Sequence, residues 1–426
     1  MSPSLLIGTM LALLVLSVPV AVALGLAGAA FVASDARMSL LAVPQQIFIG
    51  LDKYPLAAIP FFILAGNLME TGGISSRLVD LAKSIVGGFT GGLALTCVLT
   101  CMIFAAVSGS SIATVFAIGS ILIPAMVRHG YPAPFAAALM AVTAELGVII
   151  PPSIPMILLG VSAELSVGEL FIAGVGPGIL IGLSLLLVTY FICRLRGYGQ
   201  NDGHDRLAVG LAAKRSAMAL GLPVIILGGI YSGVFTPTEA SAVAVVYALI
   251  IGTFVYRELG VREIYAAFRR SAISAAAIMI LVATAAFLSY LINRAGLPAQ
   301  LGTWLNNSFE SPAAYLFSVN IALFVVGMFI ETGAAILVLG PLLTPVAVNF
   351  GIDPIHFGVV IIVNLALGMV TPPFGVNLFA ACQVANVSVL QIVRYLLPFV
   401  LTVLVCLMII TYVPVVSLFL RDLVYR

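Results

Sequence analysis

Charged residues are scarce in this 426-residue chain: lysine and arginine together number 18, and aspartate and glutamate 16, which is 8% of the total. A soluble domain carries about 25% charged residues, so the composition excludes a water-soluble globular protein. The chain is 62% hydrophobic, with a mean hydropathy of +1.24. We therefore expect a single all-α domain that crosses a lipid membrane several times. The net charge of +2 gives no reason to expect nucleic acid as a partner.

Histidine and cysteine are also rare, with three and five residues. Cys97 and Cys101 share a helix face, but no histidine or carboxylate accompanies them, so we interpret the cysteines as small core residues rather than a metal site or disulfide. The apolar segments contain no pair of aspartates, no serine–histidine pair and no phosphate-binding glycine loop. These absences argue against an intramembrane enzyme and against an ATP-driven pump.

Apolar segments of membrane-spanning length follow one another through the chain. They cover residues 4–33, 55–69, 88–107, 110–127, 133–163, 169–193, 217–235, 238–256, 271–292, 312–330, 333–349, 355–385 and 397–420. The first is uncharged from Ser2 to Ser34, which is too long for a signal peptide, so we expect a retained membrane helix.

Two pairs of these segments are joined by very short turns, "SGSS" after residue 107 and "ETGA" after residue 330. Turns this tight are typical of re-entrant hairpins, which enter and leave the membrane on one side. The alternative is two ordinary helices joined by a short loop.

Basic residues predict the orientation. They concentrate in two loops, one with Arg194, Arg196, Arg206, Lys214 and Arg215 and the other with Arg257, Arg262, Arg269 and Arg270. Both loops should be cytoplasmic, because positive charge stays on that side of a membrane. The second loop, "YRELGVREIYAAFRR", is amphipathic and predicts a helix on the membrane surface.

The chain contains an internal duplication. The stretch "LGVIIPPSIPMIL" (146–158) aligns with "LGMVTPPFGVNLF" (367–379) at a shift of 221 residues, and the same shift pairs further glycines and prolines. The repeats cover about 1–193 and 217–426 and are joined by a cytoplasmic loop, 194–216. Each contains a hairpin followed by a helix that breaks at Pro-Pro. When the membrane spans are counted along the chain, the two hairpins enter the membrane from opposite sides. The repeats should therefore be inverted in the membrane.

Broken helices predict a transport function. Backbone groups freed by a break are tolerated in a membrane only where they meet protein, water or a ligand. Inverted repeats with paired discontinuous helices are typical of secondary transporters, which bind ions and substrates near the midplane. A single Pro-Pro could instead be a packing kink, but a duplicated one after a duplicated hairpin favours binding.

Several motifs together resemble the large membrane subunit of tripartite ATP-independent periplasmic (TRAP) transporters. They are "FFILAGNLMETGGIS" (61–75), "VSGSSIATVFAIGSILIPAM" (107–126), "ELGVIIPPSIPMIL" (145–158), "GVFTPTEASAVA" (233–244), "ETGAAILVLGPLLTPVA" (331–347) and "GIDPIHFGVVIIVNLALGMVTPPFGVNLF" (351–379). The resemblance covers essentially the whole chain. It implies Na⁺-driven uptake of an organic acid, of the C4-dicarboxylate or sialic-acid type, across a bacterial inner membrane.

The resemblance also implies partners and a mechanism. A periplasmic substrate-binding protein would deliver the substrate, a small four-helix membrane subunit would complete the complex, and membrane lipid would surround it. The fold is similar to the ion-transporter superfamily, with a scaffold and a mobile elevator domain. The alternative is a one-component Na⁺- or H⁺-coupled carboxylate carrier or exchanger of the same superfamily.

The tips and breaks then predict two Na⁺ sites. The first comprises Ser108, Gly109, Ser110, Ser111, Gly147 and Pro151. The second comprises Glu331, Thr332, Gly333, Ala334, Gly368, Thr371 and Pro372. Hydroxyls and free backbone carbonyls would be the ligands. The substrate should lie between the tips, on Ser110, Ser111, Pro152, Ser153, Thr332, Gly333 and Asn377. The alternative for each small-residue tip is a simple tight turn.

Three carboxylates lie in apolar segments, where ionisable groups are expensive and usually functional. Glu331 could bind Na⁺ or cap the helix that follows it. Glu145 lies one turn before the first break and could orient it. Glu239 follows "TPT", which favours a structural role at a helix start.

Overall fold

The computed structural model describes residues 3–34, 38–200, 207–297, 300, 302–303, 309, 311–373 and 375–425. Over this part of the chain the secondary structure is helical. Eight described helices are long and apolar enough to cross a membrane, and up to ten spans result if each of two bent helix pairs counts as one. The protein is therefore a polytopic membrane protein, as its composition predicts.

The helices of the first half are α1 (Pro3–Val15), α2 (Val20–Ser34), α3 (Ala42–Leu51), α4 (Ala58–Thr71), α5 (Ile74–Val86), α6 (Gly92–Ser108), α7 (Ser111–Arg128), α8 (Ala133–Ala144), α9 (Leu146–Ile149), α10 (Ile154–Ser162) and α11 (Val167–Arg196). Those of the second half are α12 (Val209–Tyr231), α13 (Pro237–Ile250), α14 (Val261–Arg294), α15 (Pro312–Phe329), α16 (Thr332–Asn349), α17 (Pro354–Gly368), α18 (Val376–Ala385), α19 (Val389–Tyr412) and α20 (Val415–Tyr425).

The helix bounds repeat at the spacing found in the sequence. A shift of 221 residues carries α7, Ser111–Arg128, onto Thr332–Asn349, which is α16. The same shift carries α6 onto α15, α8 onto the start of α17, and α10 onto α18. Most of the helix ends then agree to within a few residues. Both halves thus contain two helices joined by a tight turn and then an interrupted helix. In the first half the pieces of the interrupted helix differ in direction by 44°.

The helices form two packing groups. Helices α2, α3 and α4 pack on α14, and α4 also packs on α13. Helix α1 packs on α2, and α12 packs on α5 and α13; we call α1–α5 with α12–α14 the non-hairpin group. Helices α6–α11 and α15–α20 form the hairpin group, in which both tight turns and both breaks lie. Helix α5 packs on α6 as well as on α12, and therefore connects the two groups.

Three expectations about the segments were wrong. The first apolar segment is two helices rather than one, because Pro19 has no N–H and Ser17 adopts a positive φ of 62°. The basic loop is shorter than 194–216, since α11 continues to Arg196 and α12 begins at Val209. Lys214 and Arg215 therefore lie in a helix, and Arg206 lies outside the described residues.

The amphipathic segment is not a separate surface helix. From Val261 it forms the first turns of α14, which continues without interruption to Arg294 over 34 residues. No glycine or proline occurs within this range, so nothing in the sequence stops the helix where its amphipathic part ends.

Candidate functional site

The first hairpin tip lies directly against the first helix break. Gly109 and Ser110 form the tip, and the break separates Ile149 from Ile154. The N–H of Ile154 donates a hydrogen bond to the carbonyl of Gly109 at 3.3 Å. A Cβ atom on Gly147 would lie 3.0 Å from the carbonyl oxygen of Ser110, so this approach depends on glycine. Tip and break therefore form one backbone cluster.

Hydroxyl groups at this junction bind backbone carbonyls. Ser153 Oγ donates to the carbonyl of Val148 at 2.6 Å. The carbonyl of Ser110 accepts hydrogen bonds from the hydroxyls of Ser108 at 3.1 Å and Thr114 at 2.8 Å. In this break the Ser153 hydroxyl therefore replaces the helical partner that the Val148 carbonyl has lost.

The second tip ends at Glu331, which is exposed and is the N-cap residue of α16. Its Oε2 atom accepts a hydrogen bond from the N–H of Ala334 at 3.0 Å. A Cβ atom on Gly333 would lie 3.0 Å from the same Oε2 atom. Thr332 is buried, with its hydroxyl 2.8 Å from the sulfur of Met369. The Glu331 carboxylate thus caps a helix, one of the two roles that the sequence left open.

The second break lies between Gly368 and Val376. Gly368 packs on the backbone of Gly327 in the second hairpin, too closely for any side chain at position 368. The hydroxyl of Thr371 donates to the carbonyl of Leu367 at 2.8 Å. Pro372 beside it is half-buried.

Asn377 connects the two halves of the chain. It begins the half-helix after the second break, and its fully buried side chain reaches residues of the first half. Its Nδ2 atom donates to Glu145 Oε1 at 2.6 Å, and its Oδ1 atom accepts a hydrogen bond from the hydroxyl of Ser111 at 3.3 Å. Asn377 therefore holds together the first tip, the second break and the residue before the first break.

This connection follows from how the half-helices pack. Helix α18, which follows the second break, packs against α7 and α8 of the first half, and α10 packs against α16 of the second hairpin. Leu158 on α10 lies 3.1 Å from the Cβ position of Gly333 near the second tip. Ile154, which bonds to the first tip, precedes Leu158 by one helical turn, about 6 Å. Both tips therefore lie beside the same turn of α10.

The charge at this junction comes from helix ends and carboxylates. Helices α7, α10, α16 and α18 all begin here, and a helix N-terminus carries partial positive charge. The ion pairs among the described residues involve Arg77 with Glu258 and Arg421 with three carboxylates, and no tip residue takes part. An anion at the tips would thus meet N–H groups and hydroxyls rather than a paired arginine.

Of the three carboxylates in apolar segments, the sequence predicted a role for Glu239 and left two roles open for Glu331. Glu239 forms a capping box with Thr236 at the start of α13, as the "TPT" motif predicts. Glu331 caps α16. The partner of Glu145 was missed, because nothing in the sequence indicates that residue 377 lies next to residue 145.

A cavity of about 320 Å³ lies between the two packing groups, beside the C-terminal end of α10. Its walls include Lys53, Val282 and Asn293 on the non-hairpin side and Val161 and Leu337 on the hairpin side. Lys53 Nζ donates across it to the carbonyl of Val161 at 3.3 Å. The boundary between the groups is therefore loosely packed at this point.

Sequence comparisons place the chain among known proteins. The family described as "Tripartite ATP-independent periplasmic transporter, DctM component" matches residues 7–416. The chain is 39% identical over 437 residues to the C4-dicarboxylate TRAP transporter large permease protein DctM of Rhodobacter capsulatus, covering 99% of both chains. It is 42% identical over 407 residues to the isethionate TRAP transporter permease protein DctMQ of Oleidesulfovibrio alaskensis. That match covers 95% of this chain but only 64% of the relative.

The fold is similar to that of a solved transporter. The crystal structure of the Alcanivorax borkumensis YdaH transporter matches with a TM-score of 0.65, covering 91% of this chain and 89% of the other. The sequences are only 16% identical, so this likeness concerns the fold alone.

Proposed function

We propose that this chain, which belongs to the DctM component family of tripartite ATP-independent periplasmic transporters, carries an organic anion across the membrane together with Na⁺. The observation that most favours this function is the convergence of both hairpin tips on one turn of α10, with both breaks alongside. Transporters built from inverted repeats bind substrate and coupling ions at such a junction.

Na⁺ as the coupling ion is supported by the atoms present. The junction of Ser111, Asn377 and Glu145 offers hydroxyl, amide and carboxylate oxygens, which hard cations prefer. One oxygen of the buried Glu145 carboxylate has no hydrogen-bond partner among the described residues. The residues therefore fit a cation at the first tip, while the hydroxyls of Ser108 and Ser153 already bind carbonyls and would have to turn to reach it.

An organic anion suits the same place. The N-termini of α7, α10, α16 and α18 converge there, and half-helix N-termini are where anionic groups of transported substrates bind. The relatives named above carry C4-dicarboxylate and isethionate in their names, and both are small organic anions. We propose a substrate of this class, or a sialic acid, held on Ser111, Thr332 and Gly333.

Partners are proposed from the family. TRAP large permeases work with a small membrane subunit and a periplasmic binding protein. The DctMQ relative extends well beyond the part that this chain matches, which leaves room for a fused small subunit. We propose that this chain works with such a small subunit, and that the binding protein does much of the substrate selection.

An elevator movement is supported by the two packing groups. The hairpin group would carry the tips past the non-hairpin group, and the cavity of about 320 Å³ lies on the boundary along which they would slide. The Lys53–Val161 hydrogen bond crosses that boundary and would break during the movement.

Uptake in proteoliposomes tests the function. With its small subunit and loaded binding protein, the chain should accumulate substrate only under an inward Na⁺ gradient. Undiminished uptake driven by a pH gradient in Na⁺-free buffer would contradict Na⁺ coupling. Full uptake of free substrate by this chain alone would favour a one-component carrier instead.

A further inference from the structure

Glu145 is a buried carboxylate of which one oxygen has no hydrogen-bond partner among the described residues. The residue is 2% exposed and lies at the junction of α8 and α9, just before the first break. Oε1 accepts the short bond from Asn377 Nδ2 at 2.6 Å. Oε2 is buried and has no hydrogen-bond partner among the residues that the structure describes.

Such a group needs a positive charge or a proton nearby. An isolated carboxylate in an apolar interior is costly, and the cost is usually removed by pairing or by coordination of a metal ion. Asn377, which is bonded to Glu145, is neutral, and so is Ser111, which is bonded to Asn377. The ion pairs found in the described part of the chain do not include Glu145.

We propose that the Glu145 carboxylate is the charged ligand of the first Na⁺ site, with Oε2 facing the ion; this inference rests on the proposed Na⁺ coupling. The hydroxyls and carbonyls assigned to that site carry no net charge, so Glu145 balances the charge of the ion. Asn377 fixes the carboxylate through Oε1 and leaves Oε2 for the ion.

The two sites differ in this respect. A shift of 221 residues carries Glu145 onto Ala366, so the second break has no equivalent acid. The nearest acid in the second hairpin, Glu331, is exposed and caps α16. The first site therefore has a buried counter-charge and the second does not. Because Asn377 belongs to α18, an ion at the first site also orders the half-helix after the second break.

The test is Na⁺-dependent thermal stability of the whole chain purified in detergent, without substrate. Na⁺ should raise the unfolding temperature, because a ligand of the folded state stabilises it. The ionic strength is held constant by exchanging Na⁺ for K⁺, which should not have this effect. Glu145→Gln keeps the shape and the acceptor for Asn377 but removes the charge. We expect it to need at least about tenfold more Na⁺ for half of the effect. Glu239→Gln, which removes the carboxylate that caps α13, should respond like the wild type.

The outcomes separate this inference from the proposed function. A Glu145→Gln protein with wild-type half-saturation would show that Glu145 is only a hydrogen-bond acceptor and would overturn the inference alone. A wild-type protein without any Na⁺ response would overturn Na⁺ coupling as well. If Glu145→Gln does not fold, Glu145→Asp is measured instead. Its shorter side chain keeps the charge but moves it away from the ion, so an unchanged Na⁺ concentration for half of the effect would contradict the assignment.

Discussion

At the scale of single residues, close backbone approach explains the glycines at the tips and breaks. Gly147 faces the first tip, where a Cβ atom would lie 2.9 Å from Thr114 Oγ1 and 3.0 Å from the Ser110 carbonyl. Gly368 faces Gly327 more closely still. The hairpins thus reach the breaks only because these positions have no side chain.

The first prediction concerns Gly147. Gly147→Ala forces the tip and the break apart and should destabilise the protein by about 1–3 kcal/mol, as overpacking generally does. The Na⁺-driven uptake rate should fall even where the protein stays folded, because the tip residues are displaced. Denaturant unfolding and Na⁺-driven uptake measure the two effects. Gly228→Ala on α12, where a Cβ atom meets no described heavy atom within 4 Å, is the control. It should leave transport unchanged and should not destabilise the protein, because alanine favours a helix over glycine. A Gly147→Ala protein that behaves like this control would show that the contact is not needed.

The second prediction concerns the C-terminal helix. Arg421 on α20 bonds to Asp353 in the turn before α17 at 2.9 Å. Burial raises the pKa of the Asp353 carboxyl, but the N–H groups of His356 and Ile355 and the Arg421 guanidinium outweigh burial and hold the pKa below its ordinary value. The stabilisation is therefore complete above the ordinary pKa of about 4 and is lost as the pH falls through the lower, folded-state value.

Asp353→Asn should accordingly unfold at a lower temperature than the wild type at neutral pH, because the charged partner of Arg421 is gone. The difference should begin to shrink when the pH drops below about 4, where the unfolded chain takes up the proton, and should vanish below the folded-state pKa. Thermal unfolding of both proteins between pH 3 and 7 measures this. A difference that stays constant over the whole range would mean that the carboxylate charge contributes nothing.

At the scale of elements, the interrupted helices could be predicted from the sequence and their partners could not. Pro-Pro pairs, glycines and the 221-residue repeat are local signals, and they indicated both tips and both breaks. Which half-helix packs on which hairpin depends on contacts between residues more than 200 positions apart. The bond of Asn377 to Glu145 therefore became visible only in the structure. The length of α14 was missed for a different reason: an amphipathic start was interpreted as a whole element.

The third prediction concerns the breaks. Proline lacks an N–H and clashes with the preceding turn, so replacing Pro372 and Pro373 by alanine favours a continuous helix by about 3 kcal/mol per residue. Closing the break would turn Asn377 away from Glu145 and Ser111. We expect the protein to fold and insert, with a much weaker dependence of uptake on Na⁺ concentration. Replacing Pro151 and Pro152 by alanine should also weaken the dependence of uptake on Na⁺ concentration.

Uptake measured against Na⁺ concentration distinguishes binding from a mere kink. Should both double mutants keep wild-type affinity and steepness, the prolines only bend the helices, and the binding assignments at both breaks are wrong. Replacing Pro223 inside α12, a helix outside the hairpin group, by alanine serves as the control and should leave the Na⁺ dependence unchanged.

At the scale of the whole molecule, the first tip meets the non-hairpin group at a glycine. Gly66 on α4 is half-buried, and a Cβ atom there would lie 3.6 Å from the Ser108 carbonyl and 3.9 Å from its Cα atom. The cavity lined by Lys53 lies on the same boundary between the groups. If the hairpin group slides along this boundary, the tip must pass Gly66, and a small residue keeps the path open.

The fourth prediction tests this movement. Gly66→Leu places a large side chain in the path and should reduce uptake at least about tenfold, since an overpacked contact costs about 1–3 kcal/mol. The Na⁺-dependent rise in unfolding temperature should persist, because no proposed ligand is altered. Gly228→Leu, which projects into open space, should transport normally. Uptake by Gly66→Leu at the wild-type rate would mean that the first tip does not slide past α4, and an elevator movement along this boundary would have to be abandoned.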